Sequence, residues 1–539
     1  MIKEFDYIIV GGGSAGCAIA NRLSADSSNT VLLLEAGRRD RNYLFKLPML
    51  MGKLMHSGLY NWDYYTEPEP ELNGREVYWP RGRVLGGCST INGMIYVRGN
   101  PTDYDGWEAS GCEGWSYKDV LPYFKKSEGH IDRDDDFHGV DGPLTVRRAR
   151  GNNPLFDVFV EAGQQAGYPF TDDFNGASQE GFGRYDFTIR NGRRCSTATA
   201  FIDPVRSRQN LTVKTGAMVR RVTIEGGRAT GVEIERGANP LKIDARKEVI
   251  LSAGVVSSPH LLMLSGIGDA DHLQEHGIEV KHDLPGVGQN LHDHIDCCLV
   301  YECKKPITLY RDLRLDRAAF GVLQGALFGT GLISTFPYEA GAFMKSNSSV
   351  AAPNIQAHFM PATEDTANLH MPHPFTGKSV TQNHGFTIRV GPLTPRSRGS
   401  IRLRSGNSED APQIIANYLT DEHDFELTIS AVQQMRDVID SNAFDEFRGK
   451  ELAPGPANKT NAELKTWLRD SSATTLHPVG SCKMGVESDA VVDPQLRVHG
   501  ISGLRVADAS IMPKICSGNT NAPAIMIGEK AADLILPSA

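Results

Sequence analysis

Six residues near the N-terminus have the types and spacing of a phosphate-binding turn. Gly11, Gly13 and Gly16 belong to the run Gly-Gly-Gly-Ser-Ala-Gly, where the backbone can turn tightly and approach a pyrophosphate. Glu35 follows the first of these glycines by 24 positions, and its carboxylate can accept hydrogen bonds from a ribose diol. An acidic residue disfavours a ribose 2′-phosphate, so the pattern predicts a dinucleotide other than NADP.

The elements that must position these residues are visible around them. The apolar run 5–10 predicts a buried strand, residues 17–24 predict a helix, and residues 30–34 predict a second strand that ends at Glu35. Together they make one βαβ unit, with the pyrophosphate at the N-terminus of the helix.

Further elements of the same kind occur much later in the chain. Residues 248–254 and 504–508 predict strands, and residues 522–536 predict a helix. Residues 345–380 are rich in Pro, Asn, His and Ser, which is typical of loops. We therefore expect a discontinuous nucleotide domain, with a substrate domain built from its insertions.

Composition narrows the class of protein and of partner. A chain of 539 residues is too long to fold around a single hydrophobic core, so two domains or more are expected. Hydrophobic residues make up 40% and charged residues 22%, which is typical of a globular protein. The net charge of −9 argues against a nucleic-acid partner, because such binding depends on clustered Lys and Arg. Nine cysteines without metal-ligand spacing indicate reduced thiols. No targeting or membrane-spanning segment is apparent, so we expect a cytoplasmic protein.

Two other segments allow more than one interpretation. His292 and His294 flank Asp293, but no Cys or Glu nearby completes a ligand set, so we predict no metal site. Residues 311–334 combine three arginines with an apolar run. This segment could form a membrane-facing or quinone-facing element, which would allow peripheral contact with the inner membrane. More often such a run forms a buried helix or a lid over the substrate.

Five further segments complete a recognisable series of motifs. They are residues 82–92, 257–268, 286–294, 477–485 and 518–521. Together with the N-terminal glycines they closely resemble the glucose–methanol–choline (GMC) oxidoreductase family, and the match runs from Phe5 to about Leu536.

The resemblance implies an α/β fold with two parts. One is a discontinuous Rossmann-like FAD-binding domain, and the other is an α+β substrate-binding domain with an antiparallel sheet. We expect the FAD-binding domain to comprise residues 1–155, 205–300 and 490–539. We expect the substrate-binding domain to comprise residues 156–204 and 301–489.

The resemblance also implies how FAD is held. Gly11, Gly13 and Gly16 would contact the pyrophosphate, and Glu35 would contact the adenosine ribose. The other expected contacts are Trp62 and Val219 near the adenine, Gly86 to Asn92 along the flavin, Asp508 near the ribityl–phosphate region and Asn521 at the final helix. Asn521 fits the N-cap of that helix, whose N-terminal dipole would favour the anion of reduced flavin.

The mode of attachment is implied by a departure from the family pattern. Family members with covalent flavin can use a histidine at the position that Ile91 holds here. Isoleucine has no nucleophile, so we expect non-covalent FAD. Cys88 and Val255 also replace more usual small residues, and both are tolerable by size.

Catalytic roles are implied for two residues near the C-terminus. Oxidising an alcohol by hydride transfer to flavin N5 requires a base for the hydroxyl proton, and the family's base aligns with His477. Its partner aligns with Asn519, whose amide can donate to the substrate oxygen but cannot take the proton. The alternative interpretations are a loop histidine and a turn asparagine.

The expected activity is FAD-dependent oxidation of a primary alcohol to an aldehyde. Bacterial dehydrogenases of the aliphatic-alcohol, choline and sorbose types are the most similar. We favour a dehydrogenase that uses a quinone or another acceptor, with an O2-using oxidase as the alternative. A non-redox lyase that keeps FAD as a structural group is a third possibility.

Overall fold

A computed structural model describes residues 4–50, 58, 60–235, 240–312, 315–363 and 384–536. Within these residues, no helix is both long enough and apolar enough to cross a membrane. The α-helices are Ser14–Leu23, Pro101–Ala109, Tyr117–Ser127, Pro154–Gln165, Gly254–Leu264, Ala270–Glu275, Leu309–Asp312, Leu315–Phe328, Glu422–Ile439, Asn461–Ser471 and Asn521–Ile535.

The first large sheet, here called the nucleotide sheet, has seven strands drawn from three parts of the chain. Six of them lie in the order Leu211–Thr215, Val31–Glu35, Glu4–Val10, Leu241–Leu251, Arg228–Ile234 and Val219–Glu225, and Leu504–Val506 pairs with Leu241–Leu251. Glu4–Val10 runs parallel to both of its neighbours, as a Rossmann-like sheet requires. The predicted discontinuity is therefore confirmed.

The turn after the first strand depends on close backbone packing. Gly11 has φ +105°, and a Cβ there would lie 2.4 Å from the carbonyl oxygen of Ser252. A Cβ at Gly16 would lie 2.0 Å from the carbonyl oxygen of Gly11. Both positions must be glycine for helix Ser14–Leu23 to begin directly against the end of the sheet.

The second large sheet, here called the substrate sheet, also has seven strands, and all its described pairs are antiparallel. Six strands lie in the order Arg448–Ala453, Ile295–Cys303, Gly385–Pro392, Ile355–Met360, Ala340–Met344 and Gly181–Arg184, and Ala473–Thr474 pairs with Ile295–Cys303. The predicted combination of a Rossmann-like sheet with an antiparallel sheet is confirmed. We propose the domain boundaries given above, and strand Ile295–Cys303 crosses the one at residue 300.

One part of the sequence prediction is wrong here. Residues 345–380 were expected to be loops, yet Ile355–Met360 is a fully buried interior strand of the substrate sheet. Two strands cover both its edges and helix Pro154–Gln165 lies nearby, so tertiary packing overrides its weak local pattern. Residues 364–383 lie outside the described residues.

Smaller sheets account for the remaining paired strands among the described residues. A four-stranded sheet has the order Ile95–Tyr96, Asp186–Phe187, Leu144–Arg148 and Glu128–His130. Two-stranded pairs are Ile189–Arg190 with Arg193–Arg194, Ile267–Gly268 with His282–Asp283, Ser400–Arg402 with Gln413–Ile415, and Tyr64–Tyr65 with Tyr78–Trp79.

The final helix, Asn521–Ile535, packs along helix Ser14–Leu23. Gly528 permits the contact, because a Cβ there would lie 2.6 Å from the carbonyl oxygen of Ala15. The predicted cap is wrong by one residue, since Thr520 occupies the N-cap position and Asn521 is the first helical residue. Asn521 Oδ1 instead accepts a hydrogen bond from Ser14 Oγ at 2.7 Å, which joins the N-termini of the two helices.

A buried ionic network holds the small four-stranded sheet to the rest of the molecule. Glu128 contacts Arg98 at 2.5 Å and His138 Nδ1 at 3.2 Å. His138 Nε2 lies 2.8 Å from Asp173. Burial opposes the imidazolium, but the hydrogen bonds that it donates to Asp173 and Glu128 raise the pKa of His138 to about 9.

The raised pKa of His138 predicts a pH-dependent contribution to stability. Because the folded pKa is above the unfolded value near 6.5, the contribution is complete below pH 6.5 and is lost as pH rises through about 9. We expect His138→Gln to lower the apparent Tm at pH 6 by about 2 °C, the equivalent of about 2 kcal/mol in a chain of this length. The difference from the parent should shrink at pH 9.5.

Thermal unfolding of both proteins at the two pH values, followed by tryptophan fluorescence, measures this effect. His423→Gln, at a partly exposed histidine, is the matched control, and its apparent Tm should equal that of the parent at both pH values. A deficit in His138→Gln that is the same at both pH values would contradict a stabilising imidazolium.

Candidate active site

A cavity of about 680 Å³ is lined by residues from both large sheets. Val10 and Ser252 reach it from strand ends of the nucleotide sheet, and His358 and Arg389 reach it from the substrate sheet. The carboxyl ends of parallel strands are where α/β sheets place their ligands. The cavity therefore lies where a dinucleotide and a substrate can meet.

The backbone at one end of the cavity leaves room for a pyrophosphate. A Cβ at Gly254 would meet no atom within 4 Å, and one at Gly13 would approach only the Ser252 carbonyl oxygen, at 3.9 Å. Ser14 and Ala15, the first residues of the N-terminal helix, also line this end. Open space beside glycines at a helix N-terminus suits an anionic diphosphate, so the residues fit FAD.

Glu35 lies at the edge of this space in the position predicted for a ribose contact. Its carboxylate accepts hydrogen bonds from the backbone N–H groups of Gly12 at 2.9 Å and Gly37 at 2.7 Å. Burial raises the pKa of Glu35 to about 7, although these two hydrogen bonds oppose the shift. The carboxylate is fixed by the turn and is among the residues that line the cavity.

The other predicted cofactor residues fall into two groups. Trp62, Asn92, Val219, Asp508 and Asn521 all line the cavity. Gly16 and Gly86 are not among its lining residues, and each serves a close backbone approach instead. The N–H of Gly86 donates to the carbonyl of Gly12 at 2.7 Å, which ties its turn to the phosphate-binding turn.

Several of the lining residues are held by specific contacts. Asp508 Oδ2 accepts hydrogen bonds from the Gly254 N–H at 2.8 Å and from Ser258 Oγ at 2.6 Å. The Trp62 ring lies beneath the Arg83 guanidinium at 4.5 Å. These contacts fix the side chains before a cofactor binds. Ile91 stands where family members can carry a histidine, and its side chain packs in an apolar cluster. Non-covalent attachment of FAD stays a prediction.

His477 and Asn519 meet at the other end of the cavity, although 42 positions separate them. Asn519 Nδ2 lies 3.0 Å from His477 Nε2. The backbone N–H of His477 donates to Asp293 Oδ1 at 2.8 Å, and Asp293 Oδ2 accepts from Thr474 and Tyr418. The predicted pair is thus brought together, with Asp293 fixing the loop that carries the histidine.

The hydrogen-bond network determines which nitrogen of His477 carries the proton. His294 Nε2 lies 3.1 Å from the carbonyl oxygen of Leu393, which can only accept, so Nε2 is protonated and Nδ1 has a lone pair. Thr475 Oγ1 donates to the carbonyl of His294 at 3.0 Å. Since the Thr475 hydrogen is directed at that carbonyl, Thr475 Oγ1 can only accept from His477. His477 Nδ1 lies 3.2 Å from His294 Nδ1 and 3.1 Å from Thr475 Oγ1, and it must therefore carry the hydrogen. His477 Nε2 keeps its lone pair.

The amide of Asn519 is oriented by a second chain of contacts. Gln356 Nε2 donates to Asn519 Oδ1 at 3.2 Å and to the Tyr185 hydroxyl at 3.2 Å. Tyr185 in turn donates to the carbonyl of Ala357 at 2.9 Å. With Oδ1 engaged by Gln356, the NH2 group of Asn519 must face His477.

All three histidines at this end of the cavity are held neutral. Burial lowers the pKa of His477 well below its usual range, and the neighbouring His294 and His358 act in the same direction. Burial also lowers the pKa of His294 to about 4 and that of His358 to about 3. A neutral imidazole with a lone pair on Nε2 can accept a proton at physiological pH.

Sequence reasoning missed several residues of this site. His294 and Asp293 were placed in the family motif 286–294 and in a rejected metal motif, without a role at the active site. Gln356 lies 163 positions from Asn519 and falls in the segment that was expected to be loops. Asp296 and Arg389, which pair on the cavity wall at 2.7 and 2.8 Å, belong to different strands, so no local spacing relates them.

Among the described residues, His292 and His138 lie outside the site, and neither offers a free lone pair to a metal. His292 is engaged at both nitrogens, by the Asn290 carbonyl at 2.6 Å and the Ile515 N–H at 2.9 Å. Among the described residues, His138 contributes to two groups that are close enough to hold an ion. Both of its nitrogens face carboxylates, which leaves no lone pair for a metal. That the protein has no metal site stays a prediction.

Comparisons with known proteins agree over nearly the whole chain. Family models described as GMC oxidoreductase match residues 5–296 and 395–528. Oxygen-dependent choline dehydrogenase from Brucella ovis is 47% identical over 536 residues, covering 99% of this chain and 96% of the relative. The enzyme of the same name from Sinorhizobium fredii is 46% identical over 535 residues, with the same coverage.

Solved structures show the same fold. Pyridoxine 4-oxidase from Mesorbium loti has a TM-score of 0.87 and 32% identity, covering 98% of each chain. Formate oxidase from Aspergillus oryzae RIB40, studied for modification of its FAD, has a TM-score of 0.91 and 27% identity. That match covers 99% of this chain and 98% of the other.

The contacts of Glu35 predict its contribution to cofactor affinity. A carboxylate beside a ribose diol makes charge-assisted hydrogen bonds, so Glu35→Gln should weaken FAD binding by about tenfold or more. Titration of the apoprotein with FAD, followed by flavin fluorescence, measures the dissociation constant. Glu108→Gln, at an exposed helical glutamate, is the control and should bind as the parent does. Parental affinity in Glu35→Gln would remove Glu35 from the site.

Proposed function

This chain belongs to the GMC oxidoreductase family, and we propose that it oxidises a primary alcohol to the aldehyde with His477 as the base. The protein is an FAD-dependent oxidoreductase that acts on CH–OH donors. When bound, FAD supplies the acceptor for the hydride. The observation that carries the proposal is the lone pair of His477 Nε2, which faces Asn519 at the cavity.

His477 is suited to take the hydroxyl proton as the hydride leaves. Its Nδ1–H is engaged by His294 and Thr475, so only Nε2 can accept the proton. Asn519 Nδ2 carries two hydrogens, and the one not directed at His477 can donate to the substrate oxygen. The alcohol would thus be held with its hydroxyl between an acceptor and a donor.

Choline is the first substrate candidate, because the curated relatives at 46–47% identity are named choline dehydrogenases. The cavity wall near His358 includes the rings of Phe336 and Tyr338, whose centroids are 5.7 Å apart. Aromatic faces attract quaternary ammonium groups through cation–π interactions. The charges of Asp296 and Arg389 offset each other on the same wall, so the rings would be the main element that favours a cation.

The relatives also differ in the electron acceptor that their names imply. The comparisons include oxygen-dependent dehydrogenases and oxidases, so O2 is one acceptor that the fold can use. We propose a dehydrogenase that prefers a quinone or another organic acceptor. Reoxidation of the alcohol-reduced enzyme by O2 faster than by a water-soluble quinone would contradict this preference.

The role of His477 predicts a large effect on chemistry and a small effect on cofactor binding. His477→Asn should slow flavin reduction by about a hundredfold or more, the usual contribution of a positioned general base. FAD affinity should be retained, because the glycines and Glu35 at the other end of the cavity are unchanged. Anaerobic stopped-flow reduction by the alcohol measures the rate.

The lowered pKa of His477 also fixes the direction of the pH profile. In the parent, kcat/KM should rise with pH as the imidazolium loses its proton, with the midpoint below pH 6.5. This step should disappear in His477→Asn. A variant that keeps both the parental rate and the parental profile would place the base elsewhere.

Substrate class is tested by choline against its uncharged isostere, 3,3-dimethylbutan-1-ol. A cation–π contribution predicts a kcat/KM about fivefold to thirtyfold higher for choline. Tyr338→Leu should reduce this ratio by raising KM for choline while leaving the isostere unchanged. A higher kcat/KM for the isostere in the parent would favour neutral alcohols, and absence of flavin reduction by any alcohol would favour the lyase alternative.

A further inference from the structure

Helix Leu315–Phe328 carries an outward-facing apolar surface, here called the apolar ridge. Phe320, Leu323, Leu327 and Phe328 are 67%, 56%, 65% and 74% exposed. Phe320, Leu323 and Leu327 recur at spacings of three and four residues, so they share one side of the helix, and Phe328 follows at its end. Val322, which is 48% exposed, lies on another side of the helix. The interpretation of this segment as a buried helix is therefore wrong.

The orientation of the helix is the reverse of an ordinary surface helix. Gly325 is buried on the inward side, where a Cβ would lie 2.1 Å from Ile333 Cγ2. The large apolar side chains lie on the opposite side, although the apolar face of a surface helix normally packs on the core. Apart from Val322 on the same helix, the other exposed large hydrophobic residues in the described chain occur at scattered positions, namely Tyr43, Tyr65, Ile131, Val140, Phe170 and Val486.

Basic residues surround the apolar ridge on a chain whose net charge is −9. Arg311 and Arg317 are exposed within residues 311–334, the segment that carries the ridge. The tip of the hairpin that carries exposed Arg190 and Arg193 packs against the end of the helix, because a Cβ at Gly192 would lie 2.0 Å from the carbonyl oxygen of Gly329. Residues 311–334, which include the ridge, contain two aspartates beside their three arginines, so the charge of this segment is only slightly positive.

The chain that follows the helix leads directly to the cavity. Ile333 packs with Leu47 and Met49 in a small apolar cluster, and Met49 lines the cavity. Phe336 and Tyr338, three and five residues beyond Ile333, line it as well. The apolar ridge is thus connected by a few residues to the wall where the alcohol would bind.

We propose that the apolar ridge docks the protein on the surface of an anionic lipid bilayer. Apolar side chains bordered by arginines are what an interfacial helix presents to the boundary between headgroups and acyl chains. Negative headgroups complement the local basic charge, whereas a second copy of this chain would bring another basic patch of the same sign. The cavity would then lie close to the bilayer, where apolar alcohols and acceptors dissolve.

Vesicle sedimentation tests the proposal with the FAD-bound enzyme. The probes are vesicles of phosphatidylcholine alone and vesicles containing one third phosphatidylglycerol, and bound protein is measured in the pellet. We expect the parent to bind the anionic vesicles and to be released by high salt. Combined replacement of Phe320, Leu323 and Leu327 by serine should reduce the partition coefficient by about tenfold or more. Arg190→Gln with Arg193→Gln should weaken binding to the anionic vesicles alone.

Matched controls separate the ridge from general surface effects. Phe170→Ser with Val486→Ser removes exposed apolar side chains elsewhere and should bind as the parent does. The ridge variant should keep the parental rate of flavin reduction with a water-soluble alcohol, which shows that it is folded. Parental binding by the ridge variant, no binding by the parent, or a parental dimer that the ridge variant abolishes would each overturn the proposal.

Discussion

The approach of the backbone of Gly11 to that of Gly16 is the constraint on which the cavity depends. Without a Cβ at either position, the first helix can begin directly against the ends of the sheet strands. The N-terminus of that helix then faces the space for the pyrophosphate. The final helix can lie alongside because Gly528 fits against Ala15, and this brings Asn521 to Ser14. Two close backbone contacts therefore align two helix N-termini on one site.

At the catalytic end of the cavity, the side chains are oriented by hydrogen-bond partners whose role as donor or acceptor is fixed. The carbonyl oxygen of Leu393 can only accept, and it fixes the protonated nitrogen of His294. His294 then determines that of His477, and burial keeps both rings neutral. Gln356 fixes the amide of Asn519 by donating a hydrogen bond to its Oδ1. The proposed base thus depends for its tautomer on groups that no substrate needs to touch.

The elements that were predicted well have strong local patterns. The first strand, the glycine turn and the final helix all occur where the sequence placed them, because apolar period and glycine placement report directly on local structure. Strand Ile355–Met360 was missed because its residues are buried by neighbours distant in sequence. The cap of the final helix was misplaced by one residue because Asn521 bonds to Ser14 rather than to its own helix.

The sequence alone determined the class of fold, the dinucleotide turn with Glu35, and the family to which His477 and Asn519 could be aligned. Those features lie in short segments whose chemistry depends on neighbouring residues. Only the tertiary structure decided which nitrogen of His477 keeps its lone pair, which residues orient Asn519, and which side of helix Leu315–Phe328 faces outward. Each of these depends on atoms from strands and loops far apart in the chain, and only packing sets their distances.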